Sequence, residues 1–160
     1  MNKKYVLILL IVLLIIPSFI YAEKNDTNSN ITSPIVFTDG IYISSPYGYR
    51  IHPITNKEAF HSGIDIAAPI GTHVHSMADG IVIYAKPNGL SGNEIKIQHG
   101  KGAYTRYMHM DKRCVNMGDI VKKGQVIGTV GNTGRSTGPH LHFELIIDGK
   151  TINGMGVLKR

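Results

Sequence analysis

One cysteine, no tryptophan and no sustained helical periodicity are the first features of this 160-residue chain. A single Cys114 excludes an internal disulfide framework and any zinc knuckle built from several cysteines. Lysines and arginines outnumber acids by 17 to 11, yet they are scattered, with no run longer than Lys122-Lys123. Clustered basic patches of the nucleic-acid-binding kind are therefore missing, and no nucleic-acid partner is expected. Beyond residue 22 no apolar run is long enough to span a bilayer. What the chain does have is eight histidines, 18 glycines and seven prolines. A metal bound here must be held by nitrogen and oxygen ligands, and the glycines and prolines favour a turn-rich β protein.

The N-terminus has the layout of an export segment. Asn2-Lys3-Lys4 precedes twelve uninterrupted apolar residues, Tyr5 to Ile16, and Pro17 and Ser18 break the run before Ala22. Residues 1–22 are expected to be a signal peptide cleaved after Ala22 or, because Ile20 is bulky for the cleavage motif, an N-terminal membrane anchor. Either way the working domain lies outside the cytoplasmic membrane, in the periplasm, cell envelope or extracellular space. Membrane contact is expected only through this segment. Losing residues 1–22 removes two lysines and no acid, which lowers the net charge from +6 to +4. Residues 23–39 are polar and aperiodic and read as a flexible linker.

From Gly40 to the end, residues 40–160, the pattern is that of one domain. Short β-branched runs at 81–84, 94–97, 105–108, 125–127 and 142–147 alternate with turn signals such as Pro87-Asn88-Gly89 and Asp148-Gly149. They predict a mainly β fold, one compact and mainly antiparallel domain. Two segments resemble each other, Ile70 to Val82 and Met117 to Gly128, each a short strand, a glycine turn and a second strand. Biotin- and lipoyl-carrier domains share that pattern, but Lys122-Lys123 lacks the setting of an attachment lysine.

Three segments carry chemistry. In His61-Ser62-Gly63-Ile64-Asp65, Gly63 and Pro69 argue against a helix, and on one extended strand positions 61, 63 and 65 share a face. Taken alone, such a pair is more often a surface hydrogen bond than a metal site. In His140-Leu141-His142-Phe143-Glu144, alternation sets His140, His142 and Glu144 on one face and Leu141, Phe143 and Leu145 on the other. In Tyr107-Met108-His109-Met110, His109 shares a strand direction with Tyr107 and gains meaning only beside the other two segments.

Together these segments resemble the lysostaphin/LytM-type zinc endopeptidases, over about Ile43 to Ile152. The resemblance rests on H-S-G-I-D at 61–65, Y-M-H-M at 107–110 and G-N-T-G-R-S-T-G-P-H-L-H-F-E at 131–144, with S-P-Y-G-Y-R-I-H-P-I-T at 45–55 in support. It implies the family's fold, a compact antiparallel β-sheet or β-sandwich-like domain with an open groove, which is barrel-sandwich-hybrid-like. It also implies a metalloendopeptidase that cleaves the peptide cross-links of bacterial peptidoglycan. One zinc ion per chain would be held by His61, Asp65 and His142, with His109 and His140 as catalytic histidines. Three protein ligands leave the open position of a catalytic zinc site. Tyr49, Arg50, Asn93 and Thr137 are expected to meet substrate, and His52, His73, His75 and His99 match no ligand position. A monomer is expected. The alternative is a non-catalytic wall-binding or amidase-activating protein of the same fold, which the loss of a ligand would favour; all five positions are filled.

Overall fold

The computed structural model describes residues 31–51 and 53–158, so the export segment, residues 23–30 of the linker and His52 lie outside the described residues. The strands run in chain order as β1 (Tyr42–Ser45), β2 (Gly48–Ile51), β3 (Glu58–His61), β4 (Ile64–Ala67), β5 (His73–His75), β6 (Gly80–Pro87), β7 (Asn93–Gly100), β8 (Ala103–Arg113), β9 (Ile120–Val121), β10 (Val126–Val130), β11 (His140–Ile147) and β12 (Lys150–Ile152). Two short 3-10 turns, Gly89–Ser91 and Gly154–Val157, complete the described elements. Among the described residues no helix is long and apolar enough to cross a membrane.

Ten strands form one antiparallel sheet along the path β1-β4-β11-β8-β7-β6-β9. β12 pairs with β11, while β10 bridges β5 and β8; β2 and β3 form a separate hairpin beside the sheet. Ile64, Ile66, Ile95, Ile97, Tyr107, Leu141 and Phe143 are fully buried on its inner face. Every strand expected from the β-branched runs is present, and each is longer in the structure. Asp148 and Gly149 form the two-residue turn into β12, both with positive φ, at 48° and 76°.

The two look-alike segments interlock. The first unit supplies β5 and β6, the second β9 and β10, but β5 pairs with β10 and β6 with β9. The hydrogen bonds repeat as well. The Gly71 amide donates to the Val130 carbonyl and that of Val130 to Thr72, just as the Gly118 amide donates to Val82 and that of Val82 to Asp119. Each unit thus completes the other's sheet edge.

The described part of the expected linker is not a free spacer. The Thr32 amide donates to the Met77 carbonyl, the His75 amide to the Pro34 carbonyl, and Ile35 is fully buried in the core. Ile35 opens a three-residue apolar run, Ile35-Val36-Phe37, at the end of a polar stretch, and a run that short shows no period.

Candidate metal centre and groove

His61 closes β3 and Asp65 lies in β4, so the two do not share a single strand as their spacing suggested. The Ser62-Gly63 turn carries the chain from the small hairpin to the main sheet. This turn requires glycine for space. A Cβ on residue 63 would lie 2.5 Å from His142 Nε2 and 2.6 Å from the Phe143 carbonyl oxygen. Asp65 is the register partner of His142 across β4 and β11. Turn and register together bring His61 Nε2, Asp65 Oδ1 and His142 Nδ1 into a triangle with sides of 3.1, 3.1 and 2.7 Å. All three residues are buried and form a group able to hold a metal ion.

The hydrogen bonds leave the right atoms free. His61 Nδ1 donates to the Pro46 carbonyl at 2.8 Å, which turns its Nε2 lone pair into the triangle. His142 Nε2 points away to Glu144 Oε1 at 3.4 Å, leaving Nδ1 for the centre. Asp65 Oδ2 takes Arg50 Nη2 at 3.3 Å. Without a metal, burial works against the charge on Asp65, but protons on the facing imidazole nitrogens of His142 and His61, which zinc would displace, bridge to its carboxylate and hold it well below the usual range. Burial opposes charging His142 too, yet its contacts with Asp65 and Glu144 raise its pKa. Two imidazoles and a carboxylate at this spacing fit zinc, which takes nitrogen ligands at about 2.0–2.1 Å and oxygen at about 2.0–2.2 Å.

Two further histidines face the triangle. His140 Nε2 lies 3.8 Å from Asp65 Oδ1, and the rings of His109 and His140 are 4.7 Å apart. Both are held from the glycine-rich 131–139 loop: His109 Nδ1 donates to the Thr133 carbonyl and His140 Nδ1 to the Gly138 carbonyl, each at 2.8 Å. Each keeps its Nε2 for the groove. Burial pushes the His109 imidazole down to about 4, so it is neutral near pH 7.

His109 reaches the groove through a bulge. Asn93 pairs with Met110 and Ile95 with Tyr107, so one residue is extra on β8, and His109 takes it up at φ 60°. Simple alternation predicts that His109 shares a face with Tyr107. Instead Tyr107 and Met110 enter the core, while the consecutive Met108 and His109 both line the groove.

The groove is open and holds about 670 Å³. Arg50 and Thr137 line it; Tyr49 and Asn93 do not. Tyr49 is 77% exposed on the outer hairpin against Phe60. Asn93 Nδ2 donates to the Met110 and Asp111 carbonyls and pins the bulge. Leu90 and Arg135, unremarked in the sequence, line the groove as well. So do Tyr42 and Phe60, brought in by strand pairings that spacing does not reveal. His73, His75 and His99 sit elsewhere, His99 bonded to the Asp79 carbonyl and Thr105 Oγ1.

Behind His142 lies an ion-pair chain. Arg106 donates to both oxygens of Glu94 at 2.6 and 2.9 Å and to Glu144 Oε2 at 3.4 Å. Burial would raise the Glu144 pKa, but bonds from His142 and Ser62 and the charges of His142 and Arg106 bring it down to about 2. Arg106 and Glu94 stand on paired strands, and no local pattern marks them.

Residues 59–154 match Peptidase family M23. The chain belongs to that family. Its M23 domain is 49% identical over 106 residues to the peptidoglycan DD-endopeptidase ShyA of Vibrio cholerae, covering 66% of this chain and 25% of that protein. It is 47% identical over 124 residues to the DD-carboxypeptidase/endopeptidase Mpg of Neisseria meningitidis serogroup B, covering 78% and 28%. The chain therefore spans about a quarter of the length of these curated relatives. Among solved structures, the M23 domain is similar to a zinc containing peptidase from Vibrio cholerae, with a TM-score of 0.74, 37% identity, and 84% and 42% of the two chains covered. It is also similar to the catalytic domain of the antimicrobial peptidase lysostaphin from Staphylococcus simulans, with a TM-score of 0.67, 34% identity, and 74% and 92% covered. The antiparallel β fold is that of the lysostaphin-type peptidases.

Proposed function

We propose that this M23 domain is a zinc-dependent endopeptidase that hydrolyses the peptide cross-links of bacterial peptidoglycan. One observation carries the reading: a buried His-Asp-His triangle opens onto a groove in which two more histidines present free Nε2 atoms. His61 Nε2, Asp65 Oδ1 and His142 Nδ1 would hold one zinc ion per chain. Bound there, zinc would supply a Lewis acid and an acidified water.

The rest of the chemistry falls to the chain. His109 and His140 each have Nδ1 tied to a backbone carbonyl, so Nε2 is the atom that takes up a proton and returns it to the leaving amine. Protonated, the same Nε2–H steadies negative charge developing on the scissile carbonyl oxygen. Arg50 holds the outer oxygen of Asp65 while lining the groove with Thr137, where both would meet the peptide. No serine or cysteine nucleophile is required, and Cys114 is exposed. Retention of all five histidine and aspartate positions disfavours a non-catalytic wall-binding or amidase-activating role. We further propose that residues 1–22 direct export or anchor the chain, that the domain works as a monomer, and that it acts in the envelope or outside the cell.

The test is digestion of purified sacculi from several wall types, with fragments identified by mass spectrometry. Cross-linked muropeptides should give way to fragments bearing one new amine and one new carboxyl group. A chelator should stop the reaction and zinc restore it. Sacculi left intact by zinc-loaded protein would refute the assignment.

A further inference from the structure

We propose that Glu144 is a positioning residue that fixes the orientation and tautomer of His142, and so sets the affinity of the metal centre. The inference rests on the zinc reading above. Glu144 is only 4% exposed and its two oxygens have different duties. Oε1 accepts from Ser62 Oγ at 2.6 Å and faces His142 Nε2 at 3.4 Å; Oε2 faces Arg106 Nη1 at 3.4 Å.

The ion pair alone does not account for this placement. Arg106 makes its two short bonds, from Nε and Nη2, to Glu94, while its Nη1 reaches Glu144 only at 3.4 Å; Asn88 Nδ2 also binds Glu94, at 2.6 Å. The shortest contact of Glu144 is instead to Ser62, in the turn that joins the two ligands His61 and Asp65. One carboxylate therefore grips the segment bearing two ligands and the far edge of the third. The ring of His142 is confined on that edge, because Gly63 leaves no room for even a methyl group beside Nε2. With Nε2–H directed at Glu144, Nδ1 is left unprotonated toward Asp65 and His61. A carboxylate behind a ligating histidine also makes the ring a stronger donor.

Zinc affinity of full-length protein, by competition with a chromophoric chelator, tests this with Glu144→Gln. An amide can keep Ser62 and His142 on its oxygen only by turning its NH2 to Arg106, and in every orientation it removes the negative charge behind the His142 ring. The dissociation constant should rise about 10–100-fold. Melting of the zinc-free protein, measured beside it, separates lost affinity from lost fold. Histidine 15N NMR of zinc-loaded wild type reads the tautomer directly: His142 should carry its proton on Nε2, in a low-field, slowly exchanging resonance. In Glu144→Gln that resonance should move upfield.

Unchanged zinc affinity in a folded Glu144→Gln would overturn the proposal, as would a wild-type His142 protonated on Nδ1. If the variant does not fold, the wild-type spectrum decides alone. Wild type that binds no zinc would overturn the zinc reading and this inference together. Zinc-binding wild type with an indifferent variant would overturn this inference only.

Discussion

Asp65 and His142 face each other as register partners across two strands, and Asp65 Oδ1 and His142 Nδ1 stand 2.7 Å apart. His140 is on the same strand, two residues earlier, but its Nδ1 is committed to the Gly138 carbonyl. Neighbours on one strand face are thus proposed to have different duties. His142→Ala should lose both zinc and activity, because two ligands hold zinc poorly. His140→Ala and His109→Ala should keep near one zinc per chain while losing on the order of 10²–10⁴ in rate. Zinc content after dialysis, read beside turnover of a wall peptide, checks this. A metal-free His140→Ala with a metal-loaded His142→Ala would reverse the roles.

Gly63→Ala adds one methyl group against His142 Nε2 and the Phe143 carbonyl. The obstacle is space, and part of it is backbone that cannot swing aside. We expect weaker zinc binding and a lower Tm together, with a loss of about 1–3 kcal/mol typical of overpacking. Calorimetry with and without zinc is the measurement. A variant with wild-type zinc affinity would show that the turn yields more easily than the contacts imply.

His109 holds a left-handed backbone conformation, at φ 60°, inside a strand. That conformation costs an L-residue roughly 1–2 kcal/mol and glycine little. His109→Gly should therefore be more stable than His109→Ala by about 1 kcal/mol, although a mid-strand glycine usually weakens a sheet. Both should be equally deficient in catalysis. Urea unfolding of the two variants decides the matter, and equal midpoints would mean the bulge relaxes when the imidazole goes.

The same residue gives a pH dependence. His109 has a folded pKa of about 4, below its ordinary 6.5, because burial disfavours the charged ring. Between these values the unfolded chain binds the proton and the folded one does not, so stability falls as pH drops from 6.5 to 4. Glu144, also depressed, adds a loss as pH falls from 4.5 toward 2. His109→Gln should lack the first of these losses and keep the second. In zinc-free protein, wild type should lose up to about 3 kcal/mol more than the variant between pH 6.5 and 4. Parallel curves would place the His109 titration outside this range.

The parts of the site legible in the sequence were those whose residues lie within one segment. His140, His142 and Glu144 alternate along a single strand, and the strand's apolar face is regular enough to show it. Asp65 and His61 could be paired by spacing, but not the break between their strands, since that depends on β3 pairing with β2 rather than continuing. The bulge at His109 was hidden because an extra residue on β8 is defined only against Asn93 and Ile95 on β7. Asn93 looked like a groove residue for the same reason; its partners are backbone carbonyls on another strand. Glu94 and Arg106 carry no local signal, because what buries Glu94 and pairs it with Arg106 is a sheet assembled from separate hairpins. Ile35 left no periodic signal at all.

The reciprocal pairing of the two similar units has a consequence for how the chain comes into being. β5 and β6 are made first, and their partners β10 and β9 follow about forty to fifty residues later. Contacts that distant close late and slow the reaction. During vectorial synthesis or translocation, the first unit must wait with its hydrogen-bonding edge bare until residue 130 has emerged. A nascent chain halted before that point should be an easy target for quality-control proteases, and resistance should appear only once β11, through Ile147, has also emerged to join β4 and β8.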